Sequence, residues 1–110
     1  MANVDLGSIF KSIEDQAKTL AQKLFQHYTE QAVSDLKDFL QKSKDDLKRW
    51  VGELARGDLD KDEFESLVKG QADVAEMRAL KQAGLAAAQI DTFTNGILDI
   101  VVSAAFAAIP

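Results

Sequence analysis

The 110-residue chain has no cysteine, one histidine (His27), one tryptophan (Trp50) and one proline, Pro110, its last residue. Each shortage removes a class of function. Without cysteine there is no disulfide, thiolate nucleophile or zinc-finger ligand set, and the redox compartment is left open. One histidine cannot supply the paired Glu-x-x-His motifs of a di-iron bundle within one chain. His27, beside Tyr28, reads as a polar-face or boundary residue. With proline absent from the interior, the strongest helix breaker is missing, and β-branched residues are too scattered to alternate as strands. Positive charge is also short: 13 lysines and arginines stand against 18 aspartates and glutamates, a net charge of -5. The broad attraction for phosphates that nucleic-acid binders use is therefore missing, and no nucleic-acid partner is expected.

Chemical motifs are equally scarce. No Gly-x-Gly-x-x-Gly, Walker or Gly-x-Ser-x-Gly sequence occurs. The carboxylate pairs Glu14–Asp15 and Asp45–Asp46 are adjacent on helical stretches, so they point about 100° apart instead of converging on a substrate. The sequence thus reads as a non-enzymatic protein with no cofactor and no metal. The first ten residues, MANVDLGSIF, lack a basic segment followed by an apolar run, so no secretory signal is read and the cytoplasm is the expected location.

What is present is helix. The chain is 46% hydrophobic and 28% charged, as in a folded protein, and its length suits one domain. Leu6, Phe10, Ile13, Ala17, Leu20, Leu24 and Tyr28, then Leu36, Leu40, Leu47, Val51 and Leu54, recur at steps of three and four with one slip between. An 11-residue phase, a kink, or a break before Ser34 and Asp35 would account for the slip, and Ser43–Asp46 is a second candidate helix start. The favoured reading is one long helix, with bends allowed, over about residues 4–55; about 45 helical residues would span roughly 70 Å at the α-helical rise of about 1.5 Å per residue.

Residues 54–64, LARGDLDKDEF, interrupt that pattern. Asp58, Asp60 and Asp62 imitate the first ligands of a calcium loop. Glu63, however, stands where the loop needs glycine, and Lys69 where it needs a bidentate glutamate. Arg56-Gly57-Asp58 matches an integrin-binding tripeptide, but nothing in the sequence signals export. The residues fit a helix stop and restart at about 56–59, with Gly57 at the C-terminal cap and Asp60 and Glu63 forming a capping box. Residues 53–70, ELARGDLDKDEFESLVKG, resemble the short helix-turn-helix of SHOCT-type domains, in which a leucine helix, a glycine turn and an acidic helix start follow in that order. The resemblance implies a local hairpin and a role in association.

The second arm, residues 60–109, begins on Phe64, Leu67 and Val68. Breaks near 70–73, where Asp73 and Glu76 offer another capping box, and near Gly84 compete with a continuous helix. From residue 85 onward no lysine or arginine occurs. Here Ile90, Phe93, Ile97, Val101, Ala104 and Ala108 form an apolar face, Ile100 and Phe106 widen it, and Thr92, Asn95, Asp99 and Ser103 form a narrow polar line. Three burials would satisfy such a helix: the chain's own bundle, further copies, or a membrane. The run 97–109 falls short of the roughly 20 residues of a bilayer span, and extending it includes Asp91 and Asp99.

The expected fold is therefore all-α: a long antiparallel helical hairpin or bundle completed by oligomerisation. Ile90, Phe93, Ile97, Ile100, Val101, Ala104 and Phe106 are its candidate interface. The expected function is self-assembly or scaffolding through apolar helix faces, the partner being the same chain or another helical protein. A membrane-docking protein using residues 85–109 is the alternative, and a carrier of an apolar ligand between helices the third.

Overall fold

The computed structural model describes residues 5–109. Among these the chain forms five α-helices, one 3-10 turn and no strand: α1 (Leu6–Leu24), α2 (Thr29–Arg56), α3 (Lys61–Lys69), the 3-10 turn (Gly70–Asp73), α4 (Arg78–Gln82) and α5 (Ala87–Ala108). They run up, down, up and down. α1 packs on both α2 and α5, and the α3–α4 segment joins α2 to α5 on the remaining side. The result is a four-membered bundle whose third member is broken, 46 × 22 × 19 Å in extent.

The first arm is two helices, not one, and this corrects the reading of a continuous helix over 4–55. α1 starts on Asp5, whose carboxylate accepts from the Ser8 N–H at 3.2 Å and from the Ser8 hydroxyl at 2.8 Å. It stops at Phe25, eight or more residues before the Ser34–Asp35 position that patterning suggested. Phe25 is fully buried and meets Phe93 edge to face, with ring centroids 5.4 Å apart, while Thr29 donates its hydroxyl to the Phe25 carbonyl at 2.7 Å. The physical reason lies in packing. A straight rod would leave both apolar stripes half covered, whereas folding back at 25–28 lets α1 bury Ile9, Ile13, Ala17 and Ala21 between α2 and α5. Leu24 and Tyr28, assigned to the stripe, are left exposed by the turn. α2 runs unbroken through Ser34 and through Ser43–Asp46. Ser43 is buried mid-helix and donates to Gln71 Oε1 at 3.3 Å.

The turn at 56–59 and both breaks in the second arm are present. Gly57 adopts a left-handed conformation (φ 82°), with Asp58 N–H bonded to the Glu53 carbonyl at 2.8 Å and Gly57 N–H to that of Leu54 at 3.2 Å, a Schellman ending. The capping box that opens α3 is complete: Glu63 N–H donates to Asp60 Oδ1 at 2.7 Å and Asp60 N–H to Glu63 Oε1 at 3.0 Å. Residues 70–73 tighten into the 3-10 turn. Gly84 (φ 86°) ends α4 as Gly57 ends α2, with Leu85 N–H on the Leu80 carbonyl at 3.2 Å.

Candidate functional site

α5 lies antiparallel to α1. Near Gly96 it comes so close that an added Cβ would collide with Leu20. Of the interface set, Ile90, Phe93, Ile97, Val101 and Ala104 are buried inside this one chain. They have no surface left for a second copy in this fold, because the chain folds back and α1 and α3 cover the face that an isolated hairpin would leave open. Ile100 and Phe106 are half-buried at its margins. Phe106 packs on Phe64, ring centroids 5.8 Å apart, with the Lys61 ammonium 5.3 Å from its own ring centroid. The polar line of Thr92, Asn95, Asp99 and Ser103 faces solvent. Ala108, placed with the apolar face, is exposed.

The large apolar side chains that the described fold leaves exposed are Leu24 (37%) and Tyr28 (38%), both at the α1–α2 connection. They border a shallow cleft of about 490 Å³ that also takes in Lys23, His27, Leu85 and Gln89, so the α4–α5 connection closes its far side. No carboxylate lines this cleft. The sequence carried a signal for it: Phe25, His27, Tyr28 and Thr29 are all middling helix formers, crowded into five positions with no strong former but Gln26.

At the opposite end of the bundle, a smaller cleft of about 330 Å³ lies between the α2–α3 turn and the end of α5. Leu54, Leu59, Phe106 and Ile109 wall it, with Asp60 and Lys61 at its mouth. Gly57, Asp60 and Glu63 thus serve as the turn and cap expected of them, beside an apolar hollow that patterning did not reveal. Asp60 spends one carboxylate oxygen on the helix cap. Arg56 pairs with Asp58 across the turn at 3.1 Å.

A set of polar links holds the broken third member against α2. Asp35, 7% exposed, accepts from the N–H groups of Ala79 and Leu80 at 2.9 Å each. Lys42 reaches Glu76 at 3.3 Å and Asp38 at 3.1 Å. The Arg78 guanidinium, and then the Lys42 ammonium, hold the Glu76 carboxyl below its ordinary value, and Asp38 first and then Glu76 raise Lys42 above its own. On α3, Glu65 raises Lys69, with a smaller contribution from Asp99 across on α5.

Among the described residues, no group of three or more His, Asp or Glu side chains is placed to hold a metal ion. No protein-family model matches the chain, and comparisons with curated proteins and with solved structures find no match.

Proposed function

We propose that this protein works by association, docking another protein through the exposed Leu24–Tyr28 end of its bundle and not through the apolar face of α5. One observation carries the reading. The fold uses nearly all of its large apolar side chains in its own core, yet leaves two of them together on one connection, beside the half-buried Leu85. Scattered single exposures are ordinary on any surface; adjacent ones that border a cleft are what association surfaces present. Leu and Tyr there contribute apolar contact, and Lys23, His27 and Gln89 supply a polar rim.

Site-specific photo-crosslinking tests this. A crosslinker at residue 28 should give protein adducts that Leu24→Asp abolishes, while one at residue 48, on the exposed side of α2, should give few. Equal labelling at the two positions would remove the reading.

A second reading draws on α5, whose 22 residues are long and apolar enough to cross a membrane by length and composition, with a mean hydropathy of 1.3 over its most apolar window. In the fold 44% of that window is buried within the chain. Membrane use would therefore require the bundle to open, and flotation with neutral vesicles, lost on deleting residues 97–110, would support it.

A further inference from the structure

The two ends of the bundle carry opposite charge. Where α1 turns into α2 and α4 into α5, the stretches 16–29 and 77–90 contain Lys18, Lys23, Arg78 and Lys81 and no aspartate or glutamate; acids resume only at Glu30 and Asp91. Arg78 is held by Glu76, and Glu30 and Asp91, near the starts of α2 and α5 at the same end, offset two of the three remaining lysines, so this end is weakly basic. At the other end, residues 53–65 contain six acids (Glu53, Asp58, Asp60, Asp62, Glu63, Glu65) against two bases (Arg56, Lys61), a net of -4 in a chain whose total is -5. α2 begins at one of these ends and finishes at the other. Its 28 residues span about 42 Å at the α-helical rise, nearly the whole 46 Å length of the molecule.

Partly open apolar side chains accompany the charge at both ends. The basic end presents Leu24 and Tyr28 outward, and the acidic end holds the hollow between Leu54, Leu59, Phe106 and Ile109, each of them only partly covered. The two ends thus differ in the sign of their net charge, and each leaves apolar side chains partly open to a partner, although the hollow itself has Lys61 beside Asp60 at its mouth. We infer that the protein associates with further copies of itself head to tail, the Leu24–Tyr28 end of one molecule seating in the Phe106 hollow of the next. This rests on the reading of the Leu24–Tyr28 end as a protein-docking surface, and it names the partner. A lipid surface is a poorer occupant, because two side chains and three lysines offer little apolar area to a bilayer and the remainder of the chain is acidic. Because the two contacting surfaces differ, the contact is heterologous. It extends into a chain or closes into a ring instead of stopping at a two-fold dimer.

Sedimentation velocity and light scattering on the full chain test this with two variants. One carries Leu24→Glu and Tyr28→Glu at the projecting end. The other carries Asp58→Lys and Asp62→Lys beside the hollow, exposed positions outside the Asp60–Glu63 cap. Both should keep the wild-type circular dichroism and a cooperative melt, the lysine variant melting a little lower because it loses the Arg56–Asp58 pair and an acid in the first turn of α3. The wild type should assemble with increasing concentration and dissociate as salt rises from about 0.05 to 0.5 M, where the screening length shortens severalfold. Each variant alone should associate at least tenfold more weakly. Mixed together they should form a one-to-one complex and nothing larger, since the mixture retains one intact pair of ends. A wild type that stays monomeric at low salt overturns the inference, as does a mixture that does not pair. Loss of assembly in the Leu24/Tyr28 variant alone, with the lysine variant unaffected, leaves the docking surface standing and overturns its head-to-tail partner. Flotation of the wild type on anionic vesicles, lost in the Leu24/Tyr28 variant, assigns that end to lipid and overturns both.

Discussion

Asp35 on α2 accepts a hydrogen bond from the backbone N–H of Leu80 at 2.9 Å, 45 residues further along the chain, and its second oxygen accepts from Ala79 at 2.9 Å. α4 has only five residues and no side-chain cap of its own, and the residue before it, Met77, sits at φ 51°, where non-glycine residues are uncommon. A carboxylate from another helix therefore does the capping. Asp35→Ala would leave two N–H groups at a buried helix start without an acceptor, and should cost about 2 kcal/mol in urea unfolding. Asp35→Asn keeps one acceptor and should fall between the two. An Asp35→Ala protein as stable as wild type would mean that water satisfies those amides.

The α1–α5 crossing at Gly96 gives a second prediction. Elsewhere in a helix interior glycine to alanine gains up to about 1 kcal/mol from propensity, but here the new methyl group meets Leu20. Gly96→Ala should therefore destabilise the protein by about 1–3 kcal/mol, as overpacking does. Adding Leu20→Ala should recover part of that loss, giving a favourable coupling in a double-mutant cycle. Additive effects would show that the two helices separate freely at this crossing.

Much of the all-α reading rests on features that local chemistry carries by itself. The stop at Gly57, the restart at Asp60–Glu63 and the breaks at 70–73 and 84 are caps and glycines, and each is decided within a few residues. The turn at Phe25–Tyr28 has no cap or glycine, only a run of middling helix formers. Nothing there forces the helix to end, and the gain comes from burying Phe25 against Phe93, 68 positions away, a contact that no local window contains. The same missing turn misplaced the exposed end: with one continuous helix Leu24 and Tyr28 belong to a stripe, and only the fold-back turns them outward. The apolar character of α5 was legible, but which surface covers it depended on whether the chain had one more corner.

Two glycines with open space around them, Gly57 and Gly70, make a contrasting pair. Gly57 needs its left-handed conformation, which alanine reaches at a cost of roughly 1–2 kcal/mol, so Gly57→Ala should destabilise by about that amount. Gly70 sits at φ -64° with open space around it. Gly70→Ala should stabilise by about 0.4–1 kcal/mol, mostly by restricting the unfolded chain. Thermal melts of the two single variants check both signs. A destabilised Gly70→Ala would show that the 3-10 turn after α3 needs more backbone freedom than its dihedral angles indicate.

Calcium is expected to leave the acidic turn unchanged. Asp60 is committed to the Glu63 amide, Arg56 pairs with Asp58, and Lys69 forms an ion pair with Glu65 at 2.9 Å. Titration with millimolar calcium should leave the circular dichroism and melting temperature of the wild type where they were. A clear rise in melting temperature would mean that Asp58 and Asp62 find a third ligand.

The link between the α3–α4 segment and α2 should respond to pH at both extremes. Arg78 and Lys42 hold the Glu76 pKa below its ordinary value in the folded protein, so ionised Glu76 favours folding above the ordinary glutamate range and that contribution is lost as pH falls below about 4. Lys42 is raised by Asp38 and Glu76, so its contribution is complete below about pH 10.4 and is lost as pH climbs past the raised value. The difference in stability between the wild type and Glu76→Gln should therefore be flat across the neutral range. It should shrink towards zero in acid, lose only the Lys42 share in strong alkali because Arg78 stays charged, and diminish with salt because all these side chains are exposed. Urea unfolding of both proteins from pH 3 to 11 measures it. A difference that persists unchanged at pH 3 would place the role of Glu76 in packing instead of charge.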